Sequence, residues 1–211
     1  VDLREGRAIA RIEPRPEGVR VVLAGQDVEE TIDGTHLLIA TGRKPNVDNL
    51  GLEAAGVAFD RAGVKTGRNL RTRNRRIYAI GDATGRTQLT SAANYHAGLV
   101  LRQILFRLPA RARDELTPRV TYTDPEIAWA GLSEEEARKR HRKIRILRWS
   151  LSENDRARAE GAPEGHIKVV TARDGRVLGC GIVGRAAGEL IAPWSLALSK
   201  GLMAQDMANA I

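Results

Sequence analysis

Three short stretches of this chain have residue types and spacings that could do chemistry. The first, GCGIVG at 179–184, spells G-x-G-x-x-G, the pattern in which glycines let a backbone cradle a pyrophosphate; Asp206 lies far enough downstream to hold a ribose. The other two, IATG at 39–42 and AIGD at 79–82, are apolar runs that stop at a glycine beside a polar residue. In α/β sheets ligands sit at the carboxyl ends of strands, where a glycine admits them close to the backbone. A helical segment opens about eight residues after Asp82, so its amides and positive dipole end could face an electron-rich group. The Asp82 carboxylate could accept hydrogen bonds from sugar-like hydroxyls, although for an isolated Gly-Asp pair the plainer account is a tight turn.

The elements around these stretches decide between the accounts. Residues 7–42 read as short strands with period-2 alternation (AIARIE, VRVVLA, EETI), followed by HLLIATG at 36–42, apolar on both faces like a buried central strand. NLGLEAAGV (49–57) reads as a short helix closed by glycine, and RRIYAIGD (75–82) as a second buried strand. Ser91 to Phe106 has helical spacing, with Thr90 or Ser91 as its cap, and Pro109 with RARDEL (111–116) reads as a linker. Beyond it come a strand in VTYTDPEIAWAGL (120–132), a helix in SEEEARKRH (133–141) and a strand in KIRILRWSL (143–151). HIKVVTA and RVLGCGIVG then flank Asp174-Gly175, a hairpin signal, and helices follow at GELIAPWSLALSK and from MAQDMANAI. This last third is an α+β module on an antiparallel sheet. GCGIVG therefore falls on the returning arm of a hairpin, with no parallel strand after it. Its glycines read as strand bends or as places where another backbone comes close.

Composition narrows the classes further. A chain of 211 residues makes about one or two domains, and 42% hydrophobic residues suffice for a core. No apolar run approaches the length of a membrane span, and VDLREGR carries charge where a signal peptide needs an apolar stretch, so a cytoplasmic protein is expected. The single cysteine, Cys180, excludes a disulfide or Cys-x-x-Cys chemistry within this chain. A net charge of +8 first suggests nucleic acid, but the densest basic run, ARKRHRKIR, ends a helix whose start carries a Ser133–Glu136 capping box. Acids at the first turn and bases at the last describe a solvated helix, and 4% aromatic residues leave little to stack bases upon.

Taken together, LLIATGRKPN (37–46), RIYAIGDAT (77–84) and VTYTDPEIAWAGLSEEEA (120–137) resemble the pyridine nucleotide–disulfide oxidoreductase family, in that family's order. SENDRARAEG (152–161) and VLGCGIVGRAAGELI (177–191) are most similar to its mercuric reductase-like branch. The resemblance covers essentially the whole chain. It implies an α/β plus α+β architecture: residues 1–44 as the tail of an NAD(P)-binding domain, 45–115 as a second segment of an FAD-binding α/β domain, and 116–211 as an antiparallel-sheet dimerisation domain. Gly42 would then contact the nicotinamide nucleotide, and Asp82 of the Gly81–Asp82 pair the ribityl hydroxyls of FAD. Leu89 and Thr90 would lie where a helix N-terminus faces the flavin pyrimidine.

The resemblance also implies absences. Neither an FAD-binding G-x-G-x-x-G strand, nor a redox Cys-x4-Cys pair, nor a second glycine fingerprint for NAD(P)H occurs in this sequence, and it stops at Ile211 before the family's His-Pro segment. Cys180 matches no redox cysteine, and His36, His96, His141 and His166 match no catalytic histidine, so neither a catalytic residue nor a metal site is expected here. The expectation is a carboxy-terminal piece of an enzyme. The parent would pass electrons from NAD(P)H through FAD to a disulfide, metal ion or other acceptor and would pair as a homodimer through 116–211. The alternative is a stand-alone assembly module without catalysis.

Overall fold

Alternating branched and charged residues build the first strands, and a tight turn at Pro16 and Glu17 joins the first two. The structure is a computed structural model describing residues 1–25 and 29–210; residues 26–28, between two expected strands, and Ile211, at the end of the last expected helix, lie outside the described residues. The chain divides into two compact units, Val1–Arg43 and Lys44–Ile211. In the first, strands β1 (Ile9–Arg15), β2 (Gly18–Leu23) and β3 (Glu30–Gly34) form an antiparallel sheet in that order. Arg20 and Asp33 face each other across β2 and β3 and join through two hydrogen bonds of 2.6 and 2.7 Å.

HLLIATG departs from expectation. Residues 36–42 form no strand, and Leu38 and Ile39 are 89% and 67% exposed. A strand that is apolar on both faces needs a neighbour on each side. Among the described residues none pairs with it.

In the second unit, residues 49–57 form successive turns rather than a helix. Gly51 and Gly56, both in the left-handed region, bracket a segment too short to sustain a helical nucleus. Val47, Val57 and Val64 make a small core there, the last from a two-stranded hairpin of β4 (Phe59–Asp60) and β5 (Gly63–Val64). The expected strand at 75–82 is reduced to one bridge between Arg71 and Tyr78, again for want of a partner among the described residues. A 3-10 turn, Gly81–Thr84, then leads to α1 (Thr90–Phe106).

The remaining residues fold largely as expected. Strands β6 (Arg119–Thr121) and β7 (Glu126–Gly131) come from what reads in the sequence as a single strand. Helix α2 (Glu134–Arg140), strand β8 (Ile144–Ser150), helix α3 (Asp155–Ala159) and strands β9 (His166–Ala172) and β10 (Val177–Gly184) follow. Helices α4 (Ala187–Leu190), α5 (Ala192–Lys200) and α6 (Ala204–Ala208) complete the order. The sheet runs β6-β7-β10-β9-β8, antiparallel throughout. Neighbours along β9 point to opposite faces: Val169 packs with Ala128, Ile182, Ile191 and Leu198, while Val170 packs with Ala137, Leu178 and Trp129. The sheet is thus covered by α4 and α5 on one side and by α2 on the other. The capping box of α2 is present, with Ser133 N–H donating to Glu136 Oε2 at 2.9 Å and Glu136 N–H to Ser133 Oγ at 3.1 Å. Glu134 and Glu135 pair with Arg138 and Lys139, so these bases of the densest basic run are matched within the helix.

Candidate functional site

The glycine fingerprint can be set aside on geometry. Gly179 and Gly181 sit opposite Gly131 and Trp129 in the β7–β10 ladder. A Cβ on Gly179 would overlap the carbonyl oxygen of Leu132, and one on Gly181 would overlap the Trp129 ring. These glycines make room for their own sheet. Between them, Cys180 is wholly buried in the core, and burial pushes its thiol up to about 12. At that value it is a thiol rather than a nucleophilic thiolate.

At AIGD the glycine makes room for something else. Gly81 has φ +58°, in the region that favours glycine, and a Cβ there would stand 2.7 Å from Ala93 Cβ. Ala93 lies in the first turn of α1, so the start of the 3-10 turn presses directly on the start of that helix. The turn is closed internally: Thr84 Oγ1 donates to the Gly81 carbonyl at 2.7 Å and Gly85 N–H to the Asp82 carbonyl at 2.9 Å. Asp82 is half-buried beside the buried Gly81.

The helix start also differs from expectation. Its N-cap is Leu89, in an extended conformation, not Thr90 or Ser91, and the Leu89 side chain makes no capping bond; Thr90 is the first helical residue and is exposed. No acidic residue lies in the first turn. Leu89 can offer no side-chain acceptor to the first amides of the helix, whose positive dipole end suits electron-rich atoms. Gly81, Asp82, Leu89 and Thr90 are therefore brought to one place. Gly42 belongs to the other unit, where it is exposed with φ +100°.

Two residues that the sequence did not single out complete the arrangement. The Gly81 N–H donates to His96 Nδ1 at 3.1 Å, inside the fold. With Nδ1 accepting, the ring proton is on Nε2, which meets Asp114 Oδ1 at 2.7 Å. His96 is 0% exposed, and Arg86 Nη1 stands 3.5 Å from the other oxygen of Asp114. Asp114 lies in the stretch expected to be a plain linker, yet that stretch is anchored. Ala112 is buried with its N–H on the Arg68 carbonyl, and Arg113 N–H reaches Tyr95 Oη at 3.2 Å. The available signal was helical: Ala92 and His96, four apart, are the buried positions of α1.

Comparison with known proteins agrees along the chain. Residues 1–97 match the family model described as pyridine nucleotide-disulphide oxidoreductase, and residues 117–211 match that described as its dimerisation domain. A curated dihydrolipoyl dehydrogenase of Bacillus subtilis is 34% identical over 213 residues, covering 100% of this chain and 45% of the relative. A mercuric reductase of Lysinibacillus sphaericus is 33% identical over 220 residues, covering 100% and 39%. Among solved structures, LpdA from Mycobacterium tuberculosis superposes with a TM-score of 0.88 at 28% identity, covering 97% of this chain and 44% of that one. The chain spans less than half the length of these relatives.

Proposed function

The chain belongs to the pyridine nucleotide-disulphide oxidoreductase family, and from that membership we propose that it supplies part of the flavin site of an FAD-dependent enzyme. In this reading residues 1–44 belong to an NAD(P)-binding domain, 45–115 to the FAD-binding domain and 116–211 to the dimerisation domain. What FAD supplies when bound is two-electron transfer from NAD(P)H to a disulfide, metal ion or other acceptor. The carrying observation is that Gly81 is packed against the first turn of α1 with no room for a Cβ, beside a helix start whose N-cap, Leu89, has no capping side chain.

The residues divide the work by chemistry. Asp82 accepts hydrogen bonds from the flavin's sugar-like hydroxyls. The amides at Leu89 and Thr90 would hold its pyrimidine edge, because a helix N-terminus favours negative charge. Gly42 leaves the backbone open to the nicotinamide nucleotide. No residue of this chain is assigned to the acceptor step, and Cys180 is buried away from any such role. The 211-residue chain alone is accordingly assigned no activity.

Asp82→Ala tests the site. A hydrogen bond to a charged group contributes about 1.5–3 kcal/mol, so FAD should dissociate about ten- to a hundredfold more readily from the protein as encoded in full. The apo-protein should keep its fold, because Thr84 and Gly85 also close the turn. A lower melting point with unchanged FAD affinity would refute the role.

A further inference from the structure

His96 has no part in the flavin contacts proposed above, yet it is completely buried and uses both ring nitrogens. A buried histidine is commonly a packing residue, and a packing residue needs no particular orientation. This one is oriented from two sides. Its Nδ1 takes the one backbone N–H of Gly81, the residue whose left-handed conformation sets the direction of the chain into Asp82. Its Nε2–H is held by Asp114, whose other oxygen stands beside Arg86. Asp114 is itself fixed, since it opens a 3-10 turn in which its carbonyl accepts from Thr117 N–H at 3.1 Å.

We propose that His96 and Asp114 are positioning residues for the flavin site: the Asp114–His96 pair holds the Gly81 amide, and through it the Gly81–Asp82 turn, in the geometry that receives the cofactor. The proposal rests on the flavin reading above and adds to it a pair that touches no ligand. Glycine enters the left-handed region about as readily as the right-handed one, so the backbone of Gly81 does not fix the turn by itself and something must hold it. Thr84 and Gly85 close the turn from within, and the Gly81 N–H is the point at which the turn is tied to α1 from outside. The carboxylate matters because a charge-assisted bond selects one ring tautomer. In the other tautomer an Nδ1–H would confront the Gly81 N–H, donor against donor.

The consequence is a population effect. Ligand affinity falls in proportion to the fraction of molecules in the receiving conformation. If losing the acceptor leaves about one molecule in ten with the turn formed, FAD affinity falls about tenfold.

Two substitutions at one position separate orientation from packing. In His96→Asn the amide oxygen falls where Nδ1 was, so the Gly81 N–H keeps an acceptor while the link to Asp114 is lost. In His96→Gln the amide nitrogen falls near Nε2, so Asp114 keeps a donor while Gly81 loses its acceptor. Both remove the ring, and both should lower the melting point by similar amounts. The decisive readouts are exchange of the Gly81 amide by NMR in the 211-residue chain and FAD release from the protein as encoded in full. His96→Gln is expected to weaken FAD binding about tenfold and to bring Gly81 exchange close to the unprotected rate, and His96→Asn to leave both within about threefold of the parent. Asp114→Asn, which keeps an acceptor but loses the charge, should fall between them.

Equal effects of the two His96 variants on exchange and FAD release would reduce His96 to a packing residue and overturn the proposal. So would unchanged Gly81 exchange in His96→Gln. If Asp82→Ala weakens FAD binding while His96→Gln does not, the positioning role fails and the flavin site stands. If Asp82→Ala leaves FAD binding unchanged, the site reading fails and the proposal falls with it.

Discussion

Gly81→Ala is the perturbation whose cost the structure determines most directly. Two terms add. Gly81 has φ +58°, and holding an alanine in the left-handed region costs about 1–2 kcal/mol. The new methyl would also lie 2.7 Å from Ala93 Cβ, against about 3.5–4.0 Å for two carbons in ordinary contact. The turn and α1 must separate by about 1 Å, an overpacking strain of about 1–3 kcal/mol. The total is about 2–5 kcal/mol, a large share of the roughly 5–15 kcal/mol by which a domain is stable. Gly51→Ala is the matched control, because Gly51 lies in the same unit at φ +63° but a Cβ there meets nothing within 4 Å. It should cost only the backbone term, about 1–2 kcal/mol. Urea unfolding followed by far-ultraviolet circular dichroism, to which the 17-residue α1 contributes, measures both. The reasoning predicts that Gly81→Ala exceeds Gly51→Ala by about 1–3 kcal/mol. Equal losses within about 0.5 kcal/mol would mean that Gly81 is not pressed against the helix, and the packed-turn account would be refuted.

Other consequences are simpler to read. Cys180, with its thiol pushed up to about 12 in a closed core, should resist iodoacetamide at pH 8 in the native protein and react freely in urea; rapid native alkylation would contradict its burial. Gly179→Ala and Gly181→Ala should each lower the melting point by several degrees without altering nucleotide affinity, since the added methyls collide with Leu132 and Trp129 of the same sheet. Loss of nucleotide binding with unchanged stability would restore the fingerprint reading. We also propose self-association through 116–211, supported by the family's dimerisation-domain match and by the exposed Trp149 and Ile127. Light scattering at tens of micromolar should give about twice the monomer mass, and a monomer there would count against it.

What was legible in the sequence was what short-range physics decides. Ser133 and Glu136 announce a capping box that forms because its four residues need only each other. Asp174-Gly175 announces a hairpin that forms because the flanking strands are consecutive, and Pro193 is tolerated because it falls in the first turn of α5. What failed depends on partners. HLLIATG and RRIYAIGD carry the pattern of doubly covered strands, but a pattern encodes the burial a segment seeks rather than the neighbour that supplies it. The N-cap of α1 was misplaced for a related reason. Thr90 and Ser91 are good caps in isolation, but in the fold the helix already begins with the Ala93 N–H on the Leu89 carbonyl, beside the packed Gly81. His96 and Asp114 were missed because 18 residues separate them and only the folded chain joins a helix face to a loop.

A glycine therefore says that something comes close, not what it is. GCGIVG has three glycines at the spacing of a nucleotide cradle, and at Gly179 and Gly181 the approaching group is a carbonyl and an indole of the same sheet. AIGD has one glycine and no motif, and there the approaching group is the first turn of a helix whose N-cap, Leu89, has no capping side chain. In the first case the space that a methyl would fill is already occupied by structure that must stay. In the second, the close approach sets the half-buried Asp82 beside the start of a helix whose N-cap, Leu89, has no capping side chain, the arrangement from which the flavin site is proposed. The nearest neighbour of an absent Cβ, rather than the spacing of the glycines, is what shows which element each glycine serves.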